Sequence, residues 1–382
     1  MQSYRVIFIL MVGFICNSAQ AFQIAPTGSI FEAKLTKEND SNLYLIAGKV
    51  GVLLKAPVHE EITRLAYGCP VEDSLQANKT CASENSFVTP YVIYGVRWND
   101  LPPFRLDVNR DNCQYLGVNT CKPETVRFST QPLCWYCLFA DAQKKAEKSK
   151  ISLCEKGPKV IRGNLMTRSH FGDLQFLHAM ATEPGESPEI TQQKILGWLE
   201  LAWRVSTGEI LVSTYLKDIA IPSLKPHFGC SGWRVADLYI LGRQDGVKPG
   251  ENLTPKIREI AFGSVLHTVQ DSFAGGHTFR DSSNELNQCI GLKSIKVPRI
   301  KEFHSYAAQD GAKHDHSDSR DALVSGTTSE SWPFAVEASR ELVNLRNEDN
   351  RLPWSQVKNF MQCLFELVPE PNPASAGLEF SK

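Results

Sequence analysis

Several stretches of this chain repeat apolar residues at helical spacing. In 56–68, Ile62, Leu65 and Ala66 follow an opening turn with Pro57, Glu60 and Glu61, which predicts a helix. The pattern returns over 189–218 through Ile195, Leu196, Trp198, Leu199, Leu201, Ala202, Val205 and Ile210. A further helix is predicted over 255–274, opened by Thr254-Pro255 and stopped by Gly275-Gly276, with two more over 332–348 and 354–367. Between the first two stretches, residues 70–165 are rich in Pro, Asn, Thr and Cys and carry one short helical signal near 139–150. Strand signals are short and scattered. The expected fold is all-α, a single multi-helix domain over 22–382 with a disulfide-braced, loop-rich insertion at 101–165.

The first residues set the expected compartment. Arg5, the apolar run Val6–Ile15 and the small-x-small sequence Ala19-Gln20-Ala21 form the layout of a secretory signal peptide over 1–21. The run is shorter than the ~18–20 apolar residues that a membrane span needs. A secreted or periplasmic monomer is therefore expected. Without that leader, 40 basic residues face 42 acidic ones, a formal charge of −2. Such a surface does not favour a nucleic-acid partner.

Eleven cysteines become ten when Cys16 leaves, an even count that reads as disulfides in an exported protein. Cys113, Cys121, Cys134, Cys137 and Cys154 crowd one stretch. Cys134 and Cys137 have the spacing of half a zinc knuckle, but no second C-x-x-C accompanies them. Disulfides are the expected use.

The chemistry concentrates at His267-x3-Asp271-x5-His277. His267 and Asp271 lie one helical turn apart on one face, about 6 Å along the axis, so both can reach one ion. The double glycine ends that helix and lets His277 return toward the same face. Imidazole and carboxylate together suit zinc.

This motif, preceded by Ala261-Phe262-Gly263-Ser264-Val265-Leu266, resembles the central motif of the zinc-dependent phospholipase C and single-strand nuclease superfamily. The resemblance spans roughly 58–318 in patches and implies an all-helical enzyme with up to three zinc ions in a cleft. By its pattern Asp271 bridges two ions, and His277 serves another. His59, in His-Glu-Glu-Ile-Thr-Arg-Leu-Ala, is similar to the family's early helical ligand. Asp100, in Arg-Trp-Asn-Asp, is similar to its loop aspartate, a group proposed to orient the attacking water as a base. His170, in His-Phe-Gly-Asp173, resembles the His-aromatic-x-Asp ligand, and is preferred over His178, which is expected to pack or donate to a carbonyl. His314 and Asp318 have the spacing of the last ligand pair, with a set drawn from His304, His316 and Asp310 as the alternative. His227 is read as structural, and Phe171, Trp98 and Tyr306 as candidates to line a cleft.

Two departures matter. Gly275 stands where the family carries Pro, and the family's amino-terminal Trp ligand has no counterpart near His59, so two ions are expected and a third is open. The implied activity is a phospholipase C that splits phosphatidylcholine-like lipids into diacylglycerol and phosphorylated headgroup. A secreted single-strand nuclease is the alternative within the superfamily. A non-catalytic exported protein held by disulfides is the alternative outside it.

Overall fold

The computed structural model describes residues 58–69, 88–103, 139, 141–240, 252–283, 285–319, 331–347 and 351–382. The proposed signal peptide and most of the 101–165 insertion, with Cys113, Cys121, Cys134 and Cys137, lie outside the described residues.

The chain forms α1 (Val58–Ala66), α2 (Pro90–Trp98), the short strands β1 (Lys150–Ser152) and β2 (Val160–Arg162), α3 (Leu165–Phe171) and a 3-10 turn at Gln175–His178. Next come α4 (Pro188–Thr207), α5 (Lys225–Phe228), α6 (Val235–Ile240) and the long α7 (Thr254–Asp271). Four strands follow, β3 (Thr278–Asp281), β4 (Asn287–Ile290), β5 (Ser294–Val297) and β6 (Arg299–Phe303), and then α8 (Gly311–Ser317), α9 (Ser331–Arg346) and α10 (Trp354–Leu364).

Helix α7 is the axis of the fold. Every residue from Ile260 to Asp271 is buried, so this helix has no solvent stripe over its last three turns. It packs most extensively on α2 and next on α4. Two glycines make the α2 crossing possible. A Cβ on Gly95 would stand 2.2 Å from the Ile260 carbonyl oxygen, and one on Gly263 would stand 2.3 Å from that of Val92. Trp98 ends α2 in the core, stacked 5.6 Å from Trp198 and tilted against Tyr239 at 5.1 Å. Trp98 is fully buried and lines no cleft.

Several expectations need correction. The fold is helix-rich rather than all-α, because six short strands form three two-stranded sheets: β1 with β2, β3 with β6, and β4 with β5. Helix α2 falls within a stretch read as loop. Its sequence, Pro-Tyr-Val-Ile-Tyr-Gly-Val-Arg-Trp, is aromatic and β-branched, and burial from Val92 to Trp98 erases any amphipathic period. The helix expected over 189–218 stops at Thr207, because Gly208 adopts φ 87° in the left-handed region and donates its N–H to the Val205 carbonyl. The carboxy-terminal residues beyond the last expected helix fold back onto the body, with β-bridges Ile300–Leu367, His304–Ser375 and Gln309–Ser381.

Disulfides Cys154–Cys230 and Cys289–Cys363 link distant segments, and Cys69 is also disulfide-bonded. Cys154 therefore braces the insertion outward to the α5 region. These bonds fit an oxidising compartment. No helix among the described residues is long and apolar enough to cross a membrane.

Candidate metal centre

All eight residues singled out in the sequence are buried, and they converge. Their donor atoms fall into groups with spacings that can hold a metal ion: His59, Asp100 and His267; Asp100, His170 and His178; His178, His267 and Asp271; and His277, His314 and Asp318. Helix α1 supplies His59, the end of α2 supplies Asp100, and α3 supplies His170. His267 and Asp271 come from α7, and His277 from the turn after it. His314 and Asp318 belong to α8 and its C-cap.

The local bonding explains how these side chains are aimed. Asn99 donates to the Leu177 carbonyl (2.7 Å) and to Thr268 Oγ1 (3.0 Å), and accepts from Ser264 Oγ (2.6 Å). It thereby pins the end of α2 to α7 and sets Asp100 beside Asp271. Gln270 donates to Thr63 Oγ1 at 3.0 Å, which turns its amide oxygen toward His59 Nδ1 at 2.7 Å. His267 Nδ1 lies 2.6 Å from the Val96 carbonyl, His170 Nδ1 2.9 Å from that of Met166, and His277 Nδ1 2.5 Å from that of His178. A carbonyl accepts only, so in each case Nδ1 carries a proton, and it is Nε2 that holds the lone pair in the neutral ring. Clamping of one ring nitrogen while the other faces inward is the usual support for a metal-bound histidine.

Those lone pairs meet carboxylate oxygens. Asp271 Oδ2 lies 2.9 Å from His267 Nε2 and 3.0 Å from His178 Nδ1, while its Oδ1 lies 3.1 Å from His59 Nε2. Asp100 Oδ1 stands 3.7 Å from His178 Nδ1 and 4.0 Å from His170 Nε2. Asp318 Oδ2 is 3.0 Å from His314 Nε2 and 3.8 Å from His277 Nε2. The centre is thus two lobes, one around Asp100 and Asp271 and one around Asp318, with Asp271 directing one oxygen to each side of the first.

The donor set fits divalent cations. Both oxygens of Asp100, Asp271 Oδ1, Asp318 Oδ2, His178 Nε2, His277 Nε2 and His314 Nδ1 are buried with no hydrogen-bond partner among the described residues. Three carboxylates out of water with histidines as their main neighbours would cost several kcal/mol each unless cations or protons balance them. The pKa shifts show the same imbalance. Burial raises Asp100 to about 7, with the neighbouring Asp271 charge adding to the effect and His267 and His277 opposing it. Burial lowers His170 to about 4 and His178 to about 3, the latter against the pull of Asp271. Both rings are therefore neutral near pH 7, the form that donates a lone pair to a cation. Burial also opposes protonation of His277, but Asp271 and Asp318 outweigh it and raise that ring to about 9.

His178 was the residue sequence reasoning set aside. Its ring neither packs passively nor donates to a carbonyl; it stands within two of the four donor groups. The signal lay in the turn Gln175–His178, whose Ala179 cap at φ 53° folds the chain back toward α7, and no spacing rule reports that. Of the alternatives for the last pair, Asp310 caps α8 by accepting from the Ala312 and Lys313 N–H groups, and His316 is exposed. His304 bonds to the Gly276 carbonyl at 3.2 Å, behind the turn. Phe171 packs on Tyr306, and Tyr306 lines the small cleft over the centre with Ser169, His170, His178, Met180 and His314.

Asp173 turns away from the centre. It accepts from Arg168 Nε (2.7 Å) and Nη2 (2.9 Å) and lies 3.0 Å from His227 Nδ1. His227 is structural as expected, and its carbonyl takes a further bond from Arg168 at 2.7 Å.

Compared with known proteins, the chain matches no family model, no curated protein and no solved structure.

Proposed function

We propose that this protein is an exported zinc-dependent phosphodiesterase, and specifically a phospholipase C acting on phosphatidylcholine-like lipids. The observation that carries the reading is the convergence of six histidines and three aspartates, with carboxylate and imidazole lone pairs aimed at common points. The resemblance of His267-x3-Asp271-x5-His277 to the phospholipase C and nuclease superfamily supplies the reaction class. The disulfides fit an oxidising compartment and so support export.

His59, Asp100, His170, His178, His267 and Asp271 would hold ions in one lobe, and His277, His314 and Asp318 one in the other. Zinc ions there would act as Lewis acids on the phosphoryl oxygens and lower the pKa of an attacking water. Asp100 has two buried oxygens without a hydrogen-bond partner among the described residues and stands beside His170 and His178 of the cleft, where it can accept a proton from that water and orient it in line with the phosphorus. Attack breaks the bond from phosphorus to the glycerol oxygen, which leaves with a proton as diacylglycerol. Met180, Phe171 and Tyr306 form a small apolar cluster at the cleft, a suitable rim for a lipid rather than for a charged backbone.

Purified protein incubated with phosphatidylcholine liposomes, and separately with single-stranded DNA, tests this reading. Chelator-sensitive diacylglycerol release without nucleotide release is the expected result. Nucleotide release alone would select the nuclease, and activity on neither substrate with no bound zinc would leave a non-catalytic protein.

A further inference from the structure

The β4–β5 hairpin presents apolar side chains to solvent in a way its own construction enforces. Its register pairs Gln288 with Lys296, Cys289 with Ile295 and Ile290 with Ser294. Alternation along the strands sends Cys289 and Val297 into the core and Ile290 and Lys296 outward. Ile290 is 72% exposed and Leu292, at the tip, is 52% exposed, beside exposed Lys293.

Nothing in the loop lets these residues turn inward. The Cys289–Cys363 disulfide ties the base to α10. The buried Glu341 carboxylate of α9 accepts the Lys293 N–H at 2.8 Å. Gly291 sits so close above it that a Cβ would come within 2.5 Å of Glu341 Oε1. The outward face is otherwise Gln288, Ser294, Lys293 and Lys296, neutral or basic, while Glu341 lies underneath and Glu285 is exposed on the approach to β4.

We infer that this hairpin tip docks the protein on a phospholipid bilayer, with Ile290 and Leu292 entering the interface and Lys293 and Lys296 facing anionic headgroups. Two apolar side chains are far too small for a stable protein partner, which covers roughly 800 Å² on each side. A bilayer interface accepts single apolar side chains and attracts flanking lysines. The choice of lipid over other partners rests on the phospholipase reading. The strands β3 and β6 connect the hairpin to His277 and His304, so a docked tip is fixed to the same scaffold as the metal centre.

The test uses the full mature protein with chelator present, so that no lipid is consumed. Co-sedimentation is measured with phosphatidylcholine vesicles, and with the same vesicles containing about 30% phosphatidylserine to supply a negative surface. Wild type should bind, and more strongly to the anionic vesicles. The double variant Ile290→Ser, Leu292→Ser should lose roughly 100-fold in partitioning on both, since each withdrawn side chain is worth about tenfold. Lys293→Glu with Lys296→Glu should abolish only the preference for phosphatidylserine. Leu211→Ser, which alters a residue 61% exposed elsewhere, should bind like wild type.

Wild type that does not sediment, a double variant that binds like wild type, or an equal loss in Leu211→Ser would overturn the inference. Hydrolysis of a monomeric short-chain phosphatidylcholine, assayed without chelator, separates the two claims. Normal hydrolysis with weakened vesicle binding in the double variant supports the docking role. Vesicle binding by wild type without any such hydrolysis would overturn the phospholipase reading and, with it, the identification of lipid as substrate while leaving the docking intact.

Discussion

Two buried clusters of acids and histidines lie within one helix of each other and are built on opposite principles. Around Asp173, one carboxylate meets one guanidinium in a two-pronged bond, His227 and the Ser152 hydroxyl take up remaining acceptor space, and the charges of the pair cancel. Around Asp271, Asp100 and Asp318, three carboxylates meet imidazoles and no guanidinium or ammonium among the described residues, and several of their oxygens have no hydrogen-bond partner there. Residue type does not separate a brace from a binding centre. What separates them is whether the polar atoms satisfy one another or all point at the same gap.

The largest expected effect follows from that contrast. Asp271→Ala removes the carboxylate that faces both sides of the first lobe and should cut hydrolysis by roughly 10³-fold, equivalent to about 4 kcal/mol of transition-state stabilisation. The folded protein should survive, because a buried, cation-poor charge is removed rather than stranded. Asp173→Ala should do the reverse. It strands the buried Arg168 guanidinium, so stability should fall by about 3–5 kcal/mol in denaturant titration while the zinc stoichiometry of the folded fraction is unchanged. Equal losses of stability in the two variants would erase the distinction.

A gentler probe is Gly95→Ala. The added Cβ meets backbone at the α2–α7 crossing and should cost about 1–3 kcal/mol, lowering Tm, and should weaken metal binding by moving Asp100 relative to Asp271. Gln270→Ala removes the amide oxygen that orients His59 and should lower zinc affinity about 10–100-fold by competition with a chromogenic chelator.

The smallest effect is in the pH profile of the brace. Burial alone would raise the Asp173 carboxyl, but Arg168 and His227 outweigh it and hold it at about 2. A carboxyl depressed below its unfolded value stabilises the fold above that value and loses the contribution as pH falls through the folded one. The stability difference between wild type and Asp173→Asn should therefore shrink as pH falls from about 4 to about 2. A difference that stays constant across that range would show that the ion pair is not what holds the brace.

The comparison also shows how far the sequence was readable. Spacing found His267 and Asp271 because a helix turns four residues into one face, and the double glycine announced the return to His277. The distant members were legible through motif order rather than any local signal. Spacing could not separate the two clusters, which is why Asp173 helped to nominate His170 while itself belonging to the brace. His178 was lost because a 3-10 turn and a left-handed alanine, not a periodic helix, deliver it. Helix α2 was lost because complete burial removes the amphipathic pattern and its residues read as strand formers. The burial of α2 follows from its close packing on α7 at Gly95 and Gly263, a tertiary fact that hydrophobic periodicity does not encode.

The central claim is that these converging lone pairs bind zinc, and counting bound ions tests it most directly. Protein stripped with chelator, dialysed against zinc and analysed by mass spectrometry should retain at least two zinc ions per chain, with Asp271→Ala retaining fewer. Retention of essentially no zinc by the wild-type chain, or the same number by Asp271→Ala, would contradict it.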